Sequence, residues 1–360
     1  MPVTKVILAG GNCHPQLMTS VSCTRRNSNL NWPRQHYKHI NTYGAYNMKT
    51  LNTAINTLVL SLALTGSLIS PGAAAAQAKT AVAAQQQACA CFEVKVTGQG
   101  PAIILIPGVA SSGEVWQSTV DALQGNYQLH VFTLAGFAGV APLPMPSWGE
   151  GYLATQQQAI LRYIDEQKLD KPVVIGHSLG GYLALALAAN APEQIGAVIN
   201  VDGLPALGAL FAQSNTQGST ATTAGAADNK PQRGNFDPMA MAKGMTNDAS
   251  WQQRIVADMY RSDGMTSGRV MGELMQADLR PQLNNIRVPV LTLGALQHGA
   301  PYSTPEQVQA NYEQQLANAP TQYHSFAFAR DSKHFIMADA PQWLNQQIQQ
   351  FLQQHPHRGQ

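Results

Sequence analysis

Gly176-His177-Ser178-Leu179-Gly180 fits the pattern G-x-S-x-G, and one more glycine, Gly181, follows it. Its flanks give the pentapeptide meaning. Pro172 to Ile175 is a short apolar run that reads as a strand, and Leu179 to Asn190 is an apolar, Ala-rich stretch that reads as a helix. A strand, a sharp turn and a helix are the setting in which this pattern presents a serine. So tight a turn leaves room only for glycine at its flanks, and it lifts the Ser178 hydroxyl above the end of a sheet. The next amide, that of Leu179, sits at the positive end of a helix, where a developing oxyanion is stabilised. Ser178 is the candidate nucleophile.

Outward from this turn the chain alternates. Phe92 to Thr97, Ala102 to Ile106, Gln128 to Leu134 and Ala197 to Val201 read as strands, while Val115 to Leu123 and Tyr152 to Gln167 read as helices. The rhythm lapses over 203–284, where no convincing strand occurs. Within that stretch Gln213 to Asn235 is rich in Gly, Ser, Thr, Ala and Asn and reads as a mobile loop, and Pro238 to Leu279 carries helical patterns. Alternation resumes with a strand at Val288 to Leu293, a helix near Pro305 to Ala317, a strand at Gln322 to Ala327 and a last helix from Pro341 to Gln354. The expected fold is α/β: a mostly parallel sheet flanked by helices. Its core is split between 90–202 and 285–355, with 203–284 inserted as a helical cap.

Charge is unevenly placed. Residues 1–78 hold six of the 22 basic residues and none of the 20 acidic ones, so the remainder carries a net charge of −4. Met48-Lys49, an apolar run from Leu51 to Ser70, and the small residues Ala73 to Ala78 have the form of a cleavable signal peptide over 48–78. The expectation is export, secreted or periplasmic, with no stable membrane insertion after cleavage. Residues 1–47 then read as an upstream extension from a mis-called start, with translation beginning at Met48. Of four cysteines, Cys89 and Cys91 lie beyond this region. Two apart on a strand they share a face, which rarely closes a disulfide, and they read as structural. No phosphate-cradling glycine loop, HExxH, paired-cysteine metal motif or basic nucleic-acid patch appears, so neither cofactor nor metal nor nucleic acid is expected.

From about residue 92 to 354 the chain resembles the α/β-hydrolase superfamily. Besides the serine turn, Ile103-Leu105-Ile106-Pro107-Gly108 with Trp116 downstream resembles the first strand and oxyanion loop of that family. Members often have His-Gly where this chain has Pro107-Gly108; the donor implied there is the main-chain N–H of Val109, with Leu179 N–H as the second. Asp331-Ser332-Lys333-His334-Phe335 resembles the histidine loop and makes His334 the implied base, with His298 and His324 as rivals and His177 inside the turn. Many members place the acid three residues after a glycine ending the strand before last. Counting from Gly294 gives Gln297, which carries no charge. Others place it one strand earlier, where Asp202 stands 24 residues after Ser178; its competing reading is a structural loop cap, and Asp331 is a weaker candidate. Thr133 to Gly139 occupies the place of a more polar family loop and implies a less polar surface near the site. Leu204, Leu207, Leu210, Phe211, Met239, Met241 and Met245 are candidates to line an apolar acyl pocket.

The resemblance implies a serine hydrolase that cleaves an ester or related acyl bond of a small, apolar acyl substrate. An acyltransferase or peptidase of the same fold, or a non-catalytic binding protein on that scaffold, are the alternatives.

Overall fold

The computed structural model describes residues 91–144, 149, 151–214 and 237–356. The expected extension and signal peptide, and all but the first residues of the 213–235 loop, lie outside them. Seven strands form one sheet: β1 (Phe92–Thr97), β2 (Ala102–Ile106), β3 (Gln128–Leu134), β4 (Val173–His177), β5 (Ala197–Val201), β6 (Val290–Ala295) and β7 (His324–Ala329). Their order is β1-β3-β2-β4-β5-β6-β7. β1 pairs antiparallel with β3, and all other neighbours are parallel. His177 stands opposite Val201 in the register of β4 and β5. Ser178 and Asp202, one residue further on, therefore leave adjacent strands at the same level.

The central strands read AIILI, VVIGH and AVINV and are buried at every position. Runs without alternation suit strands covered on both faces. One face packs Ile104, Ile106 and Val174 against α2 (Tyr152–Glu166) and α3 (Leu179–Asn190), following α1 (Gln117–Leu123) in the chain. The other packs Ile103, Leu105 and Ile175 against Trp116 and a C-terminal helix through Leu344 and Ile348. Odd and even residues of each strand thus feed separate cores. Every residue of α3 from Leu179 to Ala189 is buried, as its unbroken apolar character requires.

Some boundaries move. β6 runs on through Gly294 and Ala295, because these pair with Phe328 and Ala329 of β7; a glycine read locally is a stop, but a ladder partner overrides it. The expected helix at Val115 begins instead as a 3-10 turn, Gly113–Trp116, followed by α1. Cys91 is disulfide-bonded; Cys89, read together with it as structural, lies outside the described residues.

Between β5 and β6 the described chain forms α4 (Ala209–Ser214), α5 (Pro238–Met245), α6 (Ala249–Arg261), α7 (Gly264–Gln276) and a 3-10 turn, Arg280–Asn285. After β6 come α8 (Pro305–Gln315), α9 (Ile336–Asp339) and α10 (Pro341–Gln354). The inserted helices are fastened to the core by polar bonds. Glu273 accepts from the amides of Tyr152 and Leu153 and so caps the start of α2. Asp339 accepts from Thr246 Oγ1 and Asn247 N. Gly136 O accepts from Asp263 N, and Gly139 N donates to Arg261 O. The loop Thr133 to Gly139 thus anchors α6 and α7, and Ala138 N donates to Oγ of Ser262, a residue that lines the same cavity as Ser178. Among the described residues no helix is long and apolar enough to cross a membrane.

A methyl group at Gly176 would lie 1.9 Å from the carbonyl oxygen of Gly180, whereas one at Gly272, inside α7, would meet nothing within 4 Å. Gly176→Ala is expected to lower stability by about 1–3 kcal/mol, and Gly272→Ala to raise it by about 1 kcal/mol. Urea unfolding of both variants checks this pair of opposite signs.

Candidate active site

Ser178 joins β4 to α3 with φ 54°, a conformation few non-glycine residues adopt. Its own N–H donates to Val201 O, and its carbonyl accepts from Tyr182 N, so the strained turn is held at both ends. The glycines around it have no space for side chains: a Cβ at Gly180 would lie 2.2 Å from Ile106 O, and one at Gly181 2.2 Å from Asn200 Oδ1.

Asp202 is built by a parallel device. It follows β5 with φ 52°, and its N–H donates to Leu293 O of β6. Asn200, wholly buried, locks the turn: its amide donates to Gly203 O and its Oδ1 accepts from Gly203 N. The Asp202 carboxylate is fully buried and accepts on both oxygens. Oδ1 takes the N–H of Ala295 at 2.7 Å and the hydroxyl of Tyr312 at 2.7 Å. Oδ2 accepts from His334 Nδ1 at 2.6 Å, and His298 Nδ1 lies 2.9 Å from the same oxygen, within ion-pair range. Burial works to raise its pKa, but the charge on His298 and the hydrogen bonds from both histidines prevail and hold it well below the usual carboxylate range.

Three imidazoles gather here. His334 is buried, and its ring centre lies 4.6 Å from that of His177 and 4.5 Å from that of His298. Burial, then the charge on His298, lower the pKa of His334. In His298 burial is outweighed by the charge and hydrogen bond of Asp202, and its pKa is raised. His177 is wholly buried; its Nε2–H donates to His334 O, and its Nδ1 has no partner. Burial, with the charge on His334 next, pushes its pKa down to about 3, so it is neutral. It supports the backbone of the histidine loop.

Ser178, Asp202, His298 and His334 line one cavity of about 570 Å³, together with Val109, Leu179 and a largely apolar wall that includes Leu204, Leu207, Met241, Met245, Ile255 and Met271. Leu179 opens α3, where amides lack intrahelical partners. The loop bearing Val109 is fixed from above: Asp258 Oδ2 of α6 accepts from both Ser112 N and Ser112 Oγ. Leu210, Phe211 and Met239 are not among the lining residues, and Phe211 is exposed.

The structure brings together Ser178, Asp202 and His334, with Val109 and Leu179 beside them. Gln297 turns away and donates to Arg330 O. Asp331 is exposed, and His324 is spent on Thr292 within the sheet. His298, read as a rival base, instead sets its Nδ1 within 2.9 Å of the same carboxylate, as a second imidazole beside it. Its only sequence signal is its place, one residue beyond the position where many family members carry the acid. The donor atoms of Asp202, His298 and His334 lie within 4.8 Å of one another. The Asp–His distances of 2.6 and 2.9 Å are those of hydrogen bonds; ligands of a tetrahedral zinc would stand about 3.3 Å apart.

An unfolded histidine takes a proton near pH 6.5, whereas folded His177 resists until about 3. The stability it supplies is present at neutral pH and is lost progressively as pH falls below 6.5. Between about pH 6.5 and pH 4.5 a His177→Gln variant, which keeps a donor for His334 O, is expected to lose about 2 kcal/mol less than the parent. Urea unfolding of both proteins at the two pH values measures the difference.

The model of the family described as Alpha/beta hydrolase family matches residues 103–347. Over 108 residues the chain is 34% identical to a Vibrio campbellii protein named pimeloyl-acyl-carrier protein methyl ester esterase, covering 30% of this chain and 39% of that one. The alignment thus spans about two-fifths of the length of the first relatives it matches. A Vibrio cholerae protein of the same name is 25% identical over 268 residues, 71% of this chain and 96% of that protein. Among solved structures, a thermophilic esterase from Thermogutta terrifontis has the same fold, with a TM-score of 0.56 at 17% identity, over 73% of this chain and 94% of the other. The matched segment contains Ser178, Asp202 and His334, and the chain belongs to the alpha/beta hydrolase family.

Proposed function

We propose that the protein is a serine esterase that cleaves apolar acyl esters through an acyl-enzyme on Ser178. The observation that carries this reading is the buried 2.6 Å bond from His334 Nδ1 to Asp202 beside Ser178. With Nδ1–H committed to the carboxylate, Nε2 of His334 is the ring nitrogen left to receive a proton. Ser178 Oγ attacks the acyl carbon as its proton passes to that nitrogen. The N–H groups of Val109 and Leu179 hold the oxyanion, and Asp202 stabilises the imidazolium. His334 then protonates the departing alcohol. Water, activated by the same imidazole, hydrolyses the acyl-enzyme and restores Ser178.

Two further features support the substrate class. The cavity lies within the usual range for small-molecule sites, about 300–1,000 Å³, and its methionine and leucine wall offers an acyl chain no polar partner. Relatives covering part or nearly all of their own length are named as methyl ester esterases. Export to an oxidising compartment is part of the proposal; the signal-like segment at 48–78 and the disulfide at Cys91 support it.

A fluorophosphonate probe is expected to label the protein and to fail on Ser178→Ala and His334→Ala. Asp202→Asn is expected to lower kcat by about 10³–10⁴-fold. Leu207→Trp, which fills the apolar wall, is expected to shift preference among p-nitrophenyl esters toward shorter acyl chains. A folded wild type that neither labels nor hydrolyses any ester of the series sinks the esterase reading in favour of a binding role.

A further inference from the structure

His298 is not required by the mechanism above, yet its Nδ1 lies 2.9 Å from the very oxygen to which His334 donates at 2.6 Å, close enough to form an ion pair with it. Asp202 Oδ1 is fully engaged by Ala295 N and Tyr312 OH, so the two imidazoles compete for one oxygen. They differ in access: the His298 side chain is 42% exposed and that of His334 11%. The loop after β6, which in many family members delivers the acid, here delivers this imidazole. Taking proposed esterase chemistry as its basis, we propose that His298 is a positioning residue that shares Asp202 with His334 and thereby keeps His334 an unprotonated base in mildly acidic medium.

The electrostatics follow from the neighbours. The groups facing the pair are Asp202 at the end of β5, His177 at the end of β4 and Tyr312 of α8. Burial keeps His177 neutral down to about 3 and raises the Tyr312 hydroxyl well above its ordinary value. Within the histidine loop Arg330 and Asp331 are exposed, and Lys333 Nζ donates to Lys243 O. Among the described residues that line the cavity, Asp202 is the one acidic side chain. On acidification the more open His298 takes the first proton, its positive charge then satisfying Asp202 and repelling a second proton from His334, whose ring centre is 4.5 Å away. Without His298, Asp202 would favour the imidazolium of His334 unopposed. His334 would then be protonated at higher pH and lost as a base sooner.

The test is the pH profile of kcat/KM for the wild type, His298→Ala and His298→Asn, with the ring ¹H–¹⁵N resonances of His334 followed in the same samples. Asparagine keeps an N–H for Asp202 but carries no charge. In both variants the acid limb is expected to move to higher pH, so that kcat/KM at about pH 5 falls about threefold to tenfold more than at about pH 8. The alkaline plateau is expected to drop in His298→Ala and to recover in His298→Asn, separating position from charge. The His334 resonances are expected to titrate at higher pH in both variants. A uniform loss with no shift of the limb, or a His334 titration that stays put in both, overturns the proposal. Because the resonances report protonation without turnover, a protein that hydrolyses nothing yet shows the shift would refute the esterase reading alone.

Discussion

A charged carboxylate with no exposed side-chain surface is costly to bury, and Asp202 is held by three hydrogen-bond donors and a second imidazole 2.9 Å away. The carboxylate of Asp202 accepts from an amide at the end of β6, a hydroxyl from α8 and the His334 imidazole, with the His298 imidazole 2.9 Å away on a separate loop. Each donor arrives from a different segment, so a native sheet is needed to assemble them. The order of β4, β5, β6 and β7 is therefore also the wiring of the site. Parallel strands end at one edge, and the chain turns sharply at two adjacent ends to set Ser178 and Asp202 at the same level. Both turn residues have positive φ, and both are fixed by main-chain bonds to the neighbouring strand, Ser178 to Val201 and Asp202 to Leu293. Strain at Ser178 and Asp202 is held by the sheet itself.

The inserted helices have a second part in this. Their apolar side chains wall the cavity, but their polar ones reach past it to the core. Asp258 grips Ser112, three residues beyond Val109, and Glu273 caps α2. Phe335 N, next to His334, donates to Met245 O of α5. The loops bearing Val109 and His334 are thus each held from the insertion as well as from the sheet, and cavity shape and site geometry are coupled.

What was legible in the sequence follows from how local each signal is. Ser178 could be read because glycine spacing, a strand and a helix all lie within a dozen residues. His334 could be read from a loop between a strand and a helix. Asp202 needed more: its position at a strand end suggested it, and the absence of charge at Gln297 narrowed the choice, but only the register of β4 against β5 joins it to Ser178. The pairing of His298 with Asp202 was out of reach, since nothing local distinguishes an imidazole that meets a carboxylate 96 residues away from one in a surface loop. Strand ends were misplaced where Gly294 looked like punctuation and the ladder with β7 continued regardless. The Thr133–Gly139 loop could be expected near the site by analogy with other members; that its backbone bonds α6 and α7 there was not legible.

The bond from Asp258 to Ser112 bears on how members of this fold exchange parts. An insertion between two strands looks like a module, free to be replaced by another that shapes a different pocket. Here the graft would carry away the anchor of a core loop: Ser112 would keep a buried N–H and hydroxyl facing no acceptor, beside the residue expected to bind the oxyanion. Recombination at this boundary has to transplant a polar contact along with the apolar wall. The seam between scaffold and specificity element therefore runs through the side chain of residue 112 and not through the chain termini of the insertion.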